Sequence, residues 1–331
     1  MPTDPLAAFQ GAKVIITGGL GFIGSNLARR LVDLGADVIA VDSLIPEYGG
    51  HVFNVAGIED RIRVNVSDVR DQHSLRYLVQ DRQFLFNLAG QTSHLDSMHD
   101  PRTDLDINCA AQLAMLETCR HHAPNIRIVF ASTRQIYGKP DYLPVDEKHL
   151  LRPVDVNGIN KMAGEWYHTL YNNVYGLKSC ALRLTNTYGP RMRVKDARQT
   201  FLGVWIKMIL AGTPIEIWGG EQLRDFTYVD DCVEAMLAAA VHPETEGQAL
   251  NIGGDGVISL KDLAEMLVRV AGTGTAAVKP FPPERKRIDI GDYYADDSRL
   301  RALTGWAPKV GMEEGLRRTV AYYRAHLDRY L

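Results

Sequence analysis

From Lys13 to about Leu184, short apolar runs alternate with stretches in which apolar residues recur at helical spacing. The runs occupy 13–17, 37–42, 61–65, 84–88, 126–131 and 178–184. The first is followed by Leu27, Leu31 and Leu34, which share one face of a helix. Strand–helix alternation of this kind predicts a parallel sheet with helices on both faces. Ligands on such sheets bind beyond the carboxyl ends of the strands. The positions to watch are therefore Gly18 to Gly24, Asp42, Asp68, Ala89-Gly90, Ala131 to Tyr137 and the stretch after Leu184. Beyond Leu184 the predicted helices shorten, and Pro190, Pro214 and glycines 212, 219, 220, 253, 254 and 256 punctuate the chain. The pattern thus divides into residues 1–184, the parallel-sheet region, and 185–331, a smaller mixed α/β substrate-binding region with some segments returning to the first. Leu316, Val320, Tyr323 and Leu327 predict a packing helix over about 312–329.

The run Val14-Ile15-Ile16-Thr17 enters a turn with glycines at 18, 21 and 24 and then an amphipathic helix beginning near Phe22 and Ile23. Strand, glycine turn and helix open a mononucleotide-binding βαβ unit, so the sheet is read as a doubly wound Rossmann sheet. The glycines allow a tight turn, close backbone approach to a pyrophosphate, and close helix–strand packing. The helix start offers unpaired N–H groups and a positive dipole end to that pyrophosphate. The next strand ends at Asp42, where a carboxylate can accept from a ribose 2′-OH and would repel a 2′-phosphate. The cofactor expected is NAD rather than NADP. Asp68, with Val69 beside it, stands where an adenine amino group would be met, although an Asp after a strand is commonly a turn former. Leu88 and Ala89 are small or apolar where the backbone would pass a cofactor. Asn108 lies in a helix with Leu105, Ala110 and Leu113 on one face; a buried Asn needs partners, and this one is expected to tie helix to sheet beside the cofactor.

Composition narrows the class. The 331 residues are 46% hydrophobic and 23% charged, with a net charge of −3, so neither nucleic acid nor a membrane is an expected partner. Cys109, Cys119, Cys180 and Cys232 are scattered without metal or redox spacing, which fits a reduced cytoplasm. No run approaches membrane-spanning length, and the acidic N-terminus does not read as a signal peptide. No metal site is expected.

Further along, the chain carries Val66-Ser67-Asp68-Val69-Arg70, Phe130-Ala131-Ser132-Thr133-Arg134-Gln135-Ile136-Tyr137-Gly138, and Leu182-Arg183-Leu184-Thr185-Asn186-Thr187-Tyr188-Gly189-Pro190-Arg191. Arg224-Asp225-Phe226-Thr227-Tyr228-Val229-Asp230-Asp231 and Gly305-Trp306-Ala307-Pro308 follow. Together with the glycine turn these motifs resemble the extended short-chain dehydrogenase/reductase family. The branch is that of the NAD-dependent nucleotide-sugar epimerases and dehydratases, such as UDP-glucose 4-epimerase, and the resemblance covers nearly the whole chain.

The resemblance implies a transient oxidation of a nucleotide-diphosphate sugar by tightly held NAD, followed by hydride return, elimination or decarboxylation of the keto-sugar. It also implies a homodimer, built on the helix near 101–120 and the helix bearing Lys161. The family's base is a Tyr four residues before a Lys on one helix face, assisted by a Ser or Thr hydroxyl. Thr133 matches the hydroxyl and Lys161 the Lys. The base position holds Asn157, and an amide cannot act as a general base. Asn157 is expected to orient a water or a substrate hydroxyl instead. Tyr137, read mainly as a packing residue, and His94, on a cleft-side loop, are the candidate replacements. The Asp-Glu pair of the related dehydratases is here Arg134-Gln135, which argues against the usual dehydration, and Gln135 also argues against decarboxylation. By the same resemblance Asn186 and Arg224 contact the substrate diphosphate, and Arg191 and Arg287 are further candidates for anionic groups. The expectation is an epimerase. Its alternatives are a dehydratase or decarboxylase with a non-standard base, and a non-catalytic protein that binds NAD and a nucleotide sugar.

Overall fold

The computed structural model describes residues 4–281 and 290–331. Every predicted run forms a strand: β1 (Lys13–Thr17), β2 (Asp37–Asp42), β3 (Ile62–Val66), β4 (Phe84–Asn87), β5 (Arg127–Thr133) and β6 (Ser179–Leu184). They pair in parallel in the order β6-β5-β4-β1-β2-β3. The chain winds outward from β1 in one direction and then, from β4, in the other. The switch point lies between β1 and β4, and the cleft opens above it. After β7 (Asn186–Tyr188), β8 (Ile215–Trp218) and β9 (Leu223–Tyr228), a late strand, β10 (Ala249–Asn251), returns and joins the sheet parallel to β6.

The central strands read as continuous apolar runs because both faces are covered. Val14 and Ile16 point to one side and pack with Leu27 and Leu31 of helix α1 (Phe22–Asp33). Ile15 points to the other and packs with Met115, Leu116 and Tyr171. All are buried, and each aliphatic side chain among them stabilises the fold by about 1.5–3 kcal/mol relative to exposure.

The later part of the chain forms a mixed sheet of β7, β9 and β11 (Val257–Ser259) and a parallel pair, β8 with β12 (Ala276–Lys279). Their core includes Leu202, Ile206, Leu263, Leu267, Leu316, Val320 and Tyr323. The final helix runs Met312–His326, with Leu327 in a short 3-10 turn beyond it. The helix starting at Val229 belongs to the Rossmann core instead, through Cys232, Met236 and Ala240.

The helical segment over 101–122 departs from expectation. It is broken by a π-turn, Asp106–Ala110. The turn brings Ile107 and Asn108 inward and leaves Leu105 exposed, so the apolar face anticipated from Leu105, Ala110 and Leu113 is not the buried one. Polar partners hold Asn108 inside, a gain that periodicity does not register.

Candidate active site

A cavity of about 1250 Å³ opens at the carboxyl ends of the parallel strands and runs towards the later sheets. Gly18, Gly21, Phe22, Ile23, Gly24, Asp42, Asp68, Val69, Leu88, Ala89, His94, Thr133, Asn157, Lys161, Asn186 and Arg224 all line it. Among the described residues, Asn108, Tyr137 and Arg191 are the sequence-derived candidates that do not. Arg287 lies outside the described residues.

At one end, Gly18 has φ +68°, and a Cβ there would fall 3.0 Å from the backbone of Leu88 and Ala89. A Cβ on Gly24 would fall 2.1 Å from the Gly18 carbonyl oxygen, so α1 meets the turn with no room for a side chain. Gly21 caps α1 without a side-chain acceptor, which leaves the first helical N–H groups facing the cleft. Gly19, not singled out by the motif, packs against Ala40: its Cβ would lie 2.6 Å from the Ala40 Cβ. Asp42 accepts from Leu20 N–H at 3.0 Å and Leu44 N–H at 2.9 Å. Burial pushes its carboxyl above the usual range, against those N–H bonds. Asp68 accepts from Arg70 at 2.7 Å, and that bond holds its carboxyl below the usual range.

In the middle, Lys161 lies on helix α6 (Val156–Tyr175; the intervening helices are α2, Gln72–Leu78, α3, His94–His99, α4, Pro101–Leu105, and α5, Ala111–His122). Its Nζ donates to the Ala131 carbonyl at 3.2 Å and stands 5.0 Å from the Phe130 ring centroid. Burial pushes the ammonium down to about 8, with the Asp104 charge acting the other way. A Cβ on Gly90 would fall 2.8 Å from Lys161 Nζ and 2.9 Å from Asn108 Oδ1. Glycine at 90 keeps the cavity floor open above the ammonium. Thr133 ends β5, and its hydroxyl accepts from Gln135 N–H at 3.2 Å.

Asn157 is 2% exposed. Its amide donates to the Gln91 carbonyl at 2.7 Å and to Asp104 Oδ2 at 2.9 Å. Both amide hydrogens are thus consumed inside the protein, and neither is left to orient a substrate hydroxyl. Asn108 is fully buried and donates to the same two residues, at 2.9 and 3.0 Å. It sits behind Gly90 rather than in the cleft. Asn160 donates to the other Asp104 oxygen at 2.8 Å. Asp104, invisible to motif reading, organises this amide cluster beneath Lys161.

Of the two candidate replacement bases, Tyr137 is fully buried. Its hydroxyl donates to Asn251 at 2.7 Å and accepts from Arg183 at 2.6 Å, and burial pushes the phenol up to about 12. It is a packing residue, as its sequence context suggested. His94 opens α3 at the cleft. Its Nδ1 meets the Asp155 carboxylate, and its Nε2 meets the Gln135 amide.

Towards the other end, the Asn186 amide donates to the Asp225 carbonyl at 2.9 Å. Arg224 is buried and donates to the Gly291 carbonyl at 2.5 Å. Beyond them lie Trp205, Trp218, Phe201 and Phe281, an apolar end that no sequence motif indicated. Arg198 and Asp96 form an ion pair of 2.9 Å at this cleft, joining loops distant in the sequence. Arg191, by contrast, has φ +74° and donates to Asn26 Oδ1 of α1 at 2.8 Å, with its guanidinium 5.3 Å from the Tyr322 ring centroid. That left-handed turn directs it between α1 and the final helix, away from the cavity.

A glycine turn, an uncapped helix start and an acceptor at the end of β2 suit a dinucleotide. The space above Gly90 is open, with the Lys161 ammonium beside it. No group of three or more potential metal ligands occurs among the described residues. Fold and cleft define a dinucleotide-dependent Rossmann enzyme, and residues 14–253 match the model of the NAD dependent epimerase/dehydratase family, to which this chain belongs. It is 31% identical over 312 residues to a putative UDP-glucose 4-epimerase of Methanocaldococcus jannaschii, covering 94% of this chain and 98% of that protein. It superposes with a TM-score of 0.86, at 30% identity, on Thermotoga maritima UDP-glucose 4-epimerase solved with UDP-glucose, covering 95% and 99% of the two chains. For the UDP-N-acetylglucosamine 4-epimerase of Methanobrevibacter ruminantium, solved with UDP-N-acetylmuramic acid, the TM-score is 0.88 at 27% identity, covering 96% and 99%.

Proposed function

We propose that the protein is an NAD-dependent epimerase of a nucleotide-diphosphate sugar, acting through a transient keto-sugar. One observation carries this reading: a single cleft places the glycine turn and Asp42 at one end, Thr133 and Lys161 in the middle, and Asn186 and Arg224 before an apolar end. The glycine turn and α1 take the pyrophosphate of NAD, and Asp42 takes its adenosine ribose. Asp68 and Val69 border the adenine, and Lys161 holds the nicotinamide ribose. NAD, when bound, supplies the reversible two-electron oxidation. Thr133 binds the sugar oxygen. Asn186 and the planar fork of Arg224 hold the diphosphate, and the aromatic residues beyond receive the base. Residues 185–331 thus contribute most of the sugar-nucleotide contacts, and 1–184 most of those to NAD.

Arg134 and Gln135 supply no carboxylate where dehydration or decarboxylation would need one, which favours isomerase over lyase chemistry. Ile159, Trp166, Leu170 and Val174 form an exposed apolar stripe along α6 and support a homodimer through that helix. The four cysteines are free and three are buried, in keeping with a reducing compartment such as the cytoplasm. Among the described residues no helix is long and apolar enough to cross a membrane.

The commitment of Asn157 to Gln91 and Asp104 favours one rival: a protein that binds NAD and a nucleotide sugar without turnover. The test is to identify the cofactor carried by the purified protein by mass spectrometry. The protein is then incubated with UDP-, dTDP-, GDP- and CDP-sugars, and products are read by NMR in deuterated water. An inverted stereocentre is the expected result. Tight sugar binding with no product from any sugar would select the rival.

A further inference from the structure

Oxidising a sugar hydroxyl requires an acceptor for its proton, and Asn157 cannot be that acceptor. Tyr137 is sealed in the core between Asn251 and Arg183. We propose that His94, held by Asp155, is the proton acceptor of this site, an inference that rests on the epimerase reading above.

The geometry is that of an oriented imidazole. Asp155 caps the N-terminus of α6, and its Oδ1 accepts from Gly158 N–H at 2.7 Å, which fixes the carboxylate. Its Oδ2 faces His94 Nδ1. Burial raises the Asp155 carboxyl, but the His94 contact, the Gly158 N–H and the Arg134 charge outweigh it and hold the group below the usual range. An ionised carboxylate at Nδ1 selects the Nδ1–H tautomer and leaves Nε2 as the acceptor of the ring. Nε2 points at the Gln135 Nε2 donor, 2.5 Å away, on the turn that Thr133 caps. Gln135 Oε1 is buried without a hydrogen-bond partner. The Gln135 amide therefore marks a position, in the cavity that Thr133 also lines, at which a donor is presented to the imidazole. A substrate hydroxyl taking that position would donate to His94 and relieve Gln135.

In the step, the hydroxyl O–H bond breaks and its proton moves to His94 Nε2. The carbon–oxygen double bond forms as the carbon gives up its hydrogen with both electrons to NAD. The sugar is oxidised by two electrons, which NAD, when bound, would take up. On return to the opposite face the electrons flow back, and His94 restores the proton. His94 is the catalytic residue, and Asp155 positions it.

The experiment uses the full-length protein carrying its own cofactor, with UDP-glucose or whichever sugar of the panel the wild type converts. His94→Gln is expected to lower kcat/KM by roughly 10²- to 10⁴-fold, with the nucleotide-sugar Kd changing less than about threefold. Asp155→Asn still caps α6, and is expected to reduce turnover and to lose the Nδ1–H tautomer read from the ring ¹⁵N shifts of His94. Asp155→Glu is expected to restore both in part. A His94→Gln enzyme as fast as wild type would overturn the proposal and leave Lys161 as the base. A wild-type His94 in the Nε2–H form would also overturn it. If the wild type converts no sugar at all, the epimerase reading itself falls, an outcome distinct from an active wild type matched by an active variant.

Discussion

Asn157 Nδ2 lies 2.9 Å from Asp104 Oδ2, and the same amide reaches the Gln91 carbonyl at 2.7 Å. The residue four before Lys161 on α6 is thus part of a buried amide–carboxylate cluster. Its partners sit under Lys161, and Asp104 also receives Asn108 and Asn160.

Asn157→Ala is therefore expected to act first on stability. It strips donors from two buried acceptors, at a cost of about 1–3 kcal/mol. Asn157→Asp is expected to be worse, since it sets a second carboxylate against Asp104. Asn157→Tyr gives up the bonds to Gln91 and Asp104 and is expected to lower Tm without raising activity. Thermal melts of the three variants, alongside turnover, check this ordering; a Tyr variant more active than wild type would contradict it.

Arg191 and Arg224 separate two kinds of arginine. Arg224→Lys is expected to weaken nucleotide-sugar binding by about tenfold, because a bidentate fork is replaced by a point charge. Arg191→Ala is expected to lower Tm, through loss of its contacts to Asn26 and Tyr322, while leaving sugar affinity within about twofold. Calorimetric titration with the converted sugar and melting curves distinguish the two.

Asp42→Ala removes the acceptor-only group at the end of β2. Loss of charge-assisted hydrogen bonds to ribose is expected to weaken NAD by roughly 10- to 100-fold. Leu20 and Leu44 also lose their acceptor, so the turn loosens. Protein purified from the variant is expected to carry little NAD by mass spectrometry.

Asp225 provides the pH dependence. It is buried, its Oδ1 has no partner, and burial pushes its carboxyl up to about 7. The unfolded carboxyl ionises near its ordinary value of 3.8, so between about 4 and 7 the folded chain holds a proton that the unfolded chain has lost. This group's contribution to stability therefore falls as pH rises through that window. Asp225→Asn is expected to raise Tm by roughly 2–5 °C at pH 8, a gain that shrinks towards pH 4. A gain equal at both pH values would refute the assignment.

The α6 stripe is tested by Leu170→Glu. If α6 carries the proposed dimer contact, a charge at its centre is expected to give a monomer in light scattering where the wild type gives a dimer, with little change in the far-UV spectrum.

The sequence by itself determined the parallel sheet, the glycine turn and the residues at the ends of the strands. Those features follow from local rules: a short apolar run such as Val14 to Ile16 suits a strand covered on both faces, and glycine fits position 18 at φ +68°, where a Cβ would meet the Leu88 and Ala89 backbone. It also drew attention to Asn157, an amide that cannot act as a general base, because chemistry is legible in residue type. Tertiary structure decided where each polar side chain spends its hydrogen bonds. Asn108 and Asn157 turn to Asp104, Arg191 turns to Asn26, Tyr137 is closed off by Arg183, and His94 meets Asp155 across 61 residues. A buried polar group must find a partner, and that partner is selected by which elements the fold brings together, a relation that spacing along the chain does not encode.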